Sequence, residues 1–301
     1  TAGTGSLAVL AVDLEGGACN VVGAGPGSIS QTGGSSLSCT PNMGAKEIDD
    51  PLIDLREPSR PLIADDVRNK DATSTLEIPT GCPGDLKKPP SWDSPQKCAF
   101  KNPQYNDTEW ILSPGLYPGG LDLANGTFYL KPGIYYVAGG GINIGGQTAT
   151  AYSANDNGEL ETPNEATGGV LLFNTDHDTV PWKPLQLNSG FADLKLLPFK
   201  VPLTHPDKVF NGIVLYNDRE FPTDPSANAV TLNGSNSDLT LSGTLYAPNG
   251  NVVVNGDSDE VDFVLDQVIA WAYTFNGNGG SLLALADDDY IFHLNAAGLI
   301  E

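Results

Sequence analysis

The chain has 301 residues, of which 35 are glycine and 23 are proline, and this composition excludes a protein built from long helices. Acidic residues (37) outnumber basic ones (15), and the resulting net charge of −22 excludes nucleic acid and anionic membranes as partners. No run of 18 or more apolar residues occurs, so no transmembrane span is predicted. Short strands joined by tight turns are therefore expected throughout.

The first predicted element is an apolar strand at residues 6–12. Glycine- and serine-rich sequence with short strand-like pieces follows, so we assign 1–44 to N-terminal β rungs. Because the chain begins at Thr1 and not at a methionine, we expect that an exporting segment has been removed or omitted.

The four cysteines are Cys19, Cys39, Cys82 and Cys98, and none forms a C-x-x-C pair. A zinc ribbon or thioredoxin motif is therefore not indicated, and an even number favours disulfides in an extracellular protein. Nearest-neighbour pairing joins Cys19 to Cys39 and Cys82 to Cys98, and each loop would contribute about 3 kcal/mol. Two other pairings, and buried free thiols, remain alternatives.

Residues 45–109 carry many prolines and most of the basic residues, and they show no periodic pattern. We interpret this segment as an irregular insertion. Because a long structureless loop is uncommon in a compact domain, we expect it to pack on the body or on a neighbouring subunit.

A repeat begins near residue 110. The Pro-Gly-aliphatic-Tyr motif at 114–117 recurs at 132–135, and the Gly-Gly-aliphatic-x-aliphatic motif at 119–123 recurs at 140–144. Spacings of 18 and 21 residues with glycine corners are typical of the rungs of a β-helix. Strict alternation along the strands places these aliphatic residues inside the coil: Leu116, Leu121, Leu123, Ile134, Ile142 and Ile144.

The predicted fold is therefore all-β, a β-solenoid or β-helix-like stack of short strands with long irregular insertions. Its main body spans 110–294, with insertions at 145–168 and 174–210, and 295–301 form a C-terminal tail.

No motif for nucleophilic, metallopeptidase or nucleotide chemistry is present. His177 stands between two aspartates, but neighbouring residues on a strand face opposite ways, so we interpret it as a solvated loop histidine. His293 is expected to be structural. The best candidate for carboxylate catalysis is 218–220 (Asp-Arg-Glu), which we interpret as an exposed turn with an Arg–carboxylate pair or with Arg219 bonding backbone carbonyls. We predict a protein that is not an enzyme.

Acidic runs at 257–260 and 287–289 and the segment 155–158 contain ligands that calcium prefers, although none has an EF-hand spacing. We predict no cofactor, with calcium as the alternative. Three triplets fit the N-glycosylation pattern, beginning at Asn106, Asn125 and Asn233.

Aromatic residues recur at predicted strand ends, where rung stacking and rim packing explain them. The alternative is a carbohydrate-binding platform. These residues are Tyr117, Tyr135, Tyr136, Tyr216, Tyr246, Trp271 and Tyr273.

A set of short landmarks carries a family resemblance. They lie at 50–52, 112–117, 130–135, 139–141, 212–219, 241–248 and 276–279. In this order they resemble the extracytoplasmic β-rich region of TadG-like proteins of Tad/Flp-type pilus-assembly loci, over residues 5–285. The resemblance implies a surface or exported protein of pili or cell-surface architecture, with no known enzymatic activity. The chain lacks that family's membrane-anchoring N-terminal segment, so we expect a released, mature subunit.

Both ends of a solenoid expose strand edges, and the sequence offers no amphipathic helix to cap them. We therefore predict an extracellular or cell-surface structural protein that self-assembles into a filament, tube or pilus-associated polymer. Its partners would be copies of itself and other surface or pilus components. Alternatives are a monomeric adhesin or carbohydrate-binding module, and a polysaccharide-degrading enzyme. The predicted subunit contacts are Leu7, Val9, Leu10, Val12, Leu283, Leu285, Ile291, Leu294, Leu299 and Ile300.

Overall fold

The structure is a computed structural model that describes much of the chain. The described residues are 8–13, 18–22, 40–43, 50, 52–64, 66–70, 78–79, 91–102, 106–145, 149–155, 157, 159–160, 167–187, 193–234, 238–256, 263–277 and 281–282. They form an all-β protein with one short 3-10 helix, Pro206–Phe210.

The strands are mostly three to six residues long, and two are long enough to turn corners. They are β1 (Ala8–Asp13), β2 (Ala18–Val22), β3 (Thr40–Met43), β4 (Asp66–Asn69), β5 (Ile78–Pro79), β6 (Cys98–Ala99), β7 (Glu109–Leu112), β8 (Gly115–Pro118), β9 (Leu121–Leu123), β10 (Thr127–Leu130), β11 (Gly133–Ala138), β12 (Ile142–Ile144), β13 (Thr150–Ser153), β14 (Val170–Thr175), β15 (Leu185–Leu187), β16 (Asp193–Leu196), β17 (Ile213–Asn217), β18 (Asn228–Gly234), β19 (Asp238–Gly256), β20 (Phe263–Gly277) and β21 (Ser281–Leu282).

From β7 onward the strands pair in parallel with the strand one turn later, which makes three ladders. The first face stacks β7, β10, β13, β16 and the starts of β19 and β20. The second face stacks β8, β11, β14, β17 and the middle of β19 and β20. The third face stacks β9, β12, β15, β18 and the ends of β19 and β20. The predicted β-solenoid is confirmed: six rungs begin at β7, β10, β13, β16, β19 and β20, and β21 continues the first face beyond the start of β20.

Register aligns like side chains into columns along the axis. One column on the third face runs Leu121, Ile142, Leu185, Val230 and Val252. Residues from all three faces meet in one buried interior, which is the main core. Removing this apolar surface from water supplies the main driving force for stacking.

The predicted inward positions are correct for one motif and wrong for the other. Leu121 and Ile142 lie in the interior, but Leu116 and Ile134 lie on the outer side of the second face. Tyr135 points inward instead, fully buried, and its hydroxyl donates to the carbonyl oxygen of Leu112 at 2.8 Å. The hydrogen bond explains how a tyrosine fits an apolar interior.

The double glycines form the corner between the second and third faces. Gly140 has φ of +66°, and a Cβ atom there would overlap the carbonyl oxygen of Gly119 one rung below. Only glycine allows both the left-handed backbone and this close approach of rungs.

The predicted insertions contain parts of the stack. β13 lies within 145–168, and β15 and β16 lie within 174–210, and each pairs with rungs on both sides. The long insertions lie at corners, and within the ladders the register shifts only locally, as between Ile213 and Leu215 and between Asn228 and Val230. One corner insertion, residues 197–212, joins β16 to β17 and is here called the corner loop.

The proline-rich segment covers the first rung. β4 pairs antiparallel with β7, Ile63 forms a parallel bridge with Leu116, and β6 pairs in parallel with β9. Phe100 is fully buried in the interior. Strands therefore cap this end of the solenoid. The sequence, which offers no helical cap, predicts an open end here, and that prediction is wrong.

The described strands of the predicted N-terminal rungs form a separate sheet. β1 pairs antiparallel with β2, and β2 pairs in parallel with β3. The antiparallel pair distinguishes this sheet from the rungs, which stack in parallel.

None of the described residues belongs to a helix with the length and apolar character that a membrane crossing requires.

A buried carboxylate stabilises the first two rungs. Asp122 on β9 accepts a hydrogen bond from the Asn143 amide at 2.7 Å and lies 2.9 Å from the Lys101 ammonium and 3.3 Å from that of Lys97. Burial alone would raise the pKa of Asp122, but the Asn143 amide and the two lysines hold it below its ordinary value.

We expect Asp122→Asn to lower the free energy of unfolding by about 1–3 kcal/mol at pH 7. Because the folded-state pKa is depressed, the contribution is complete above about pH 4 and disappears as pH falls through the folded pKa. Urea unfolding at pH 7 and pH 2.5 tests this, with exposed Asp107→Asn as control. An equal loss at both pH values would contradict it.

Candidate functional site

The turn after β17 carries the charged residues that the sequence singled out. Asp218 is buried (3% exposed), Arg219 is half-buried and Glu220 is exposed, so the prediction of an exposed turn is wrong at its first position. This turn lies beside residues 52–64, here called the strap. The strap runs along the second face from Arg219 on the fourth rung back to Leu116 on the first.

Arg219 fastens the strap through its guanidinium. Nη1 donates to the carbonyl oxygens of Ile53 at 2.8 Å and Leu55 at 3.0 Å, and Nη2 donates to that of Leu52 at 2.5 Å. Nη2 also donates to the Tyr246 hydroxyl. The alternative that Arg219 bonds backbone carbonyls is confirmed, but these carbonyls belong to the strap and not to its own turn, and the planar fork of arginine suits this task.

A second contact tightens the same junction. The Tyr246 hydroxyl donates to the Asp50 carboxylate at 2.6 Å, and that carboxylate lies 3.7 Å from Arg219 Nη2. Burial and the neighbouring Asp50 carboxylate raise the pKa of Tyr246, and the opposing effect of the Arg219 guanidinium is smaller. The tyrosine therefore stays neutral and keeps its proton to donate.

Asp218 uses its carboxylate within the fold. It accepts hydrogen bonds from the Thr175 hydroxyl at 2.5 Å and from the Glu220 backbone N–H at 2.9 Å. Glu57, on the strap, lies beside it. Burial, then the negative charges of Asp218 and Glu220 together with a hydrogen bond to Asp218, raises the pKa of Glu57.

A pair of amides holds the turn in place. Asn174 Nδ2 donates to Asn217 Oδ1 at 3.0 Å, and Asn217 Nδ2 donates to the carbonyl oxygens of Asp218 at 3.0 Å and Phe221. Sequence reasoning missed both asparagines. The signal was available, because an aromatic residue followed by asparagine recurs near the ends of β14 (Phe173-Asn174) and β17 (Tyr216-Asn217).

Aromatic rings line the outer side of the second face beneath the strap. Phe173 lies 4.9 Å from Tyr136 and 5.0 Å from Tyr216, and Tyr216 lies 5.0 Å from Tyr246 (ring centroids). Burial and the charges of Glu57 and Asp218 raise the pKa of Tyr136 to about 12. These rings form a second hydrophobic core, which is not accessible as a carbohydrate-binding platform.

Between the strap and the fourth rung lies an open cleft of about 450 Å³, lined by 53–57, Tyr216, Arg219 and Glu220. The lining includes the carboxylates of Asp54, Glu57 and Glu220, and a pair of carboxylates is the minimum for glycoside hydrolysis. The neighbouring Asp218 carboxylate, however, already accepts hydrogen bonds from the Thr175 hydroxyl and the Glu220 backbone N–H. The observed contacts serve to fasten the strap.

His177 is buried (4% exposed), so its interpretation as a solvated residue is wrong. Its Nδ1 accepts from the Thr179 backbone N–H at 3.1 Å, which leaves Nε2 to donate to the Trp92 carbonyl oxygen at 2.8 Å. Asp178 accepts from the Trp92 indole at 3.2 Å. His177 therefore attaches the segment around Trp92 to the third rung.

No group of three or more His, Cys, Asp or Glu side chains suited to a metal ion occurs in the described residues. In the predicted calcium segment, Asn155 Oδ1 accepts from the backbone N–H groups of Asn157 and Glu159 at 3.0 Å, which is an ordinary Asx turn. The acidic runs at 257–260 and 287–289, and His293, lie outside the described residues.

The remaining predicted positions are placed as follows. Cys98 is buried and disulfide-bonded. Cys39, Cys82 and the side chain of Cys19 lie outside the described part of the chain, so the pairing stays a prediction.

Two of the predicted glycosylation asparagines use their side chains within the fold. The Asn125 amide donates to the Lys101 carbonyl oxygen at 2.7 Å, and Asn233 Oδ1 accepts from the Asn255 amide at 2.5 Å. Asn106 is half-buried, and also has an interaction partner. No described contact tests glycosylation itself.

Of the predicted subunit contacts, Val9, Leu10 and Val12 lie in β1, whose side chains are not among those described. The others lie outside the described residues: Leu7, Leu283, Leu285, Ile291, Leu294, Leu299 and Ile300.

Comparisons with known proteins find no match: no family model, no curated protein and no solved structure is similar to this chain.

Removing the Arg219 side chain should free the strap. We expect Arg219→Ala to lower the free energy of unfolding by about 2–4 kcal/mol and to speed amide exchange at the strap residues. Arg219→Lys should retain only part of the protection, because an ammonium cannot span three carbonyls. Arg56→Ala removes an exposed strap arginine and is the control. Equal exchange in wild type and Arg219→Ala would refute the fastening role.

The raised pKa of Glu57 predicts a pH dependence. Ionising Glu57 is harder in the folded state, so its contribution to stability falls as pH rises from about 4.3, the unfolded value, through the raised folded pKa. Glu57→Gln cannot ionise. The free energy of unfolding of the Glu57→Gln variant, relative to wild type, should therefore increase between pH 4 and pH 7. Urea unfolding at the two pH values measures it.

Asp54→Asn removes an exposed carboxyl from the same strap and is the matched control. A stability difference between Glu57→Gln and wild type that is the same at both pH values would contradict the assignment.

Proposed function

We propose that the protein is a non-enzymatic, extracellular structural protein, a self-assembling subunit of a surface filament, tube or pilus-associated polymer. The observation that carries the proposal is the polarity of the solenoid. β4, Ile63 and β6 cover the first rung. At the other end, within the described residues, 267–277 of β20 form a ladder only with β19, and β1 lies close to β20 without pairing in its ladder.

An edge of this kind can accept a strand from another copy. Main-chain groups along 267–277 would then pair with the added strand, and β-augmentation supplies affinity without a deep pocket. The two ends of the stack differ, so such a contact is heterologous and propagates into an open polymer. The predicted donors are the strand at 6–12 and the tail at 295–301.

The extracellular setting rests on the cysteines and on the resemblance to TadG-like pilus-assembly proteins. Disulfides persist in oxidising compartments, and an even number of cysteines fits such a location. A role in pili or cell-surface architecture would require partners among other surface components as well as copies of the same chain.

One observation favours a second candidate, a monomeric adhesin or carbohydrate-binding module. Trp271, on the sixth rung, is 44% exposed, whereas the tyrosines of the second face are buried. An exposed tryptophan presents a large apolar ring with a polar N–H, which suits an interaction surface. A polysaccharide-degrading enzyme draws less support, since Asp218 is hydrogen-bonded within the fold.

Deleting 295–301 should abolish assembly and leave the fold intact. Negative-stain electron microscopy of the purified chain, with and without calcium, should show filaments or tubes for the wild type and discrete particles for the deletion. Calcium dependence would assign a role to the acidic loops. Circular dichroism verifies the fold.

Two point variants refine this experiment. Leu299→Asp with Ile300→Asp should act like the deletion, and Ala296→Ser with Ala297→Ser should act like wild type. Unchanged polymers after the deletion would refute a role of the tail, and discrete wild-type particles that bind glycans would favour the adhesin.

A further inference from the structure

Exposed apolar side chains are concentrated on one side of the solenoid. Among the described residues, six large apolar side chains are exposed, and four of them lie on the strap or the corner loop: Ile53 (60%), Leu62 (89%), Leu203 (78%) and Val209 (47%). Both segments cover the second face. We call the outer surface of the strap and corner loop the roofed face. Single exposed apolar residues are ordinary, but this concentration is typical of an interaction surface.

The corner loop is held rigidly. Phe199 and Phe210 are buried in the second core beside Tyr216. The Asn211 side chain donates to the Val201 carbonyl oxygen at 2.8 Å and accepts from its N–H at 2.9 Å.

Both segments therefore present their apolar side chains from a fixed backbone. Lys200 and Gly168 exchange two backbone hydrogen bonds of 2.8 Å, which anchor the base of the corner loop. Arg219 anchors the strap in the same way. A preorganised surface loses little conformational entropy when a partner binds.

Charge indicates which partner fits. The strap carries two arginines (Arg56 and Arg60) against two acidic residues, and the corner loop carries two lysines against one aspartate. The roofed face is thus close to neutral in a chain of net charge −22. Two copies repel one another through acidic surfaces, whereas a near-neutral apolar face lets them approach.

We propose that the roofed face is the surface through which two copies of this chain pair side by side. The same patch would serve both subunits, as in a two-fold interface, with Leu62 and Leu203 buried on each. This pairing does not depend on the proposed end-to-end assembly, because strap and corner loop lie along the flank of the stack and not on its terminal edge.

Sedimentation velocity of the full chain at several concentrations tests the pairing. We expect wild type to sediment with the mass of a dimer. Where filaments form, we expect micrographs to show them in pairs. Leu62→Asp with Leu203→Asp should give half that mass, or single strands. Leu160→Asp is the matched control, because Leu160 is 58% exposed but lies on a loop beside the first face.

Both aspartate substitutions fall on exposed side chains, and thermal melts verify that the variants fold. Added NaCl should strengthen wild-type pairing, since it screens the repulsion between acidic surfaces. A monomeric wild type, or a double variant that pairs as wild type does, would overturn the proposal. Dimers without filaments would support pairing while refuting end-to-end assembly, so the two failures are distinguishable.

Discussion

The parallel register between successive rungs is the constraint on which the rest of this structure depends. Each rung satisfies its main-chain N–H and C=O groups through the rungs before and after it, so every residue in a ladder has a defined neighbour along the axis. Insertions are tolerated only where they leave that register intact. The corner loop adds a long excursion between β16 and β17, yet β16 pairs with β19 in unbroken register and β17 pairs with it after one bulge between Ile213 and Leu215.

The second face needs cover because it is apolar on both sides. Its inward residues fill the solenoid, and its outward residues form an aromatic column that cannot remain in water without cost. The strap and the corner loop provide that cover from distant parts of the chain. Since the strap has only bridge-like main-chain pairing at Leu116, side-chain contacts must hold its other end, and Arg219 with Tyr246 and Asp50 supplies them.

Sequence patterns predict this fold well where a polar residue alternates with apolar ones, as Asp122 and Asn143 do, and poorly where successive residues on both sides of a strand are apolar or aromatic. Leu121 and Ile142 are identified correctly, because glycine corners fix their phase in the rung. Leu116 and Ile134 are placed on the wrong side, because an apolar residue beside a buried tyrosine carries no alternation signal.

The candidate site shows the same limit. Bonding of backbone carbonyls is one of two roles predicted for Arg219, and its local turn does not reveal that the carbonyls lie on the strap. The burial of Asp218 and His177 depends on segments more than 80 residues away in sequence, which no local pattern reveals. A net charge of −22 then restricts where copies of such a protein can meet, because most approaches are repulsive. Main-chain edges and near-neutral faces are the two kinds of surface that escape this restriction, and β20 and the roofed face provide one of each.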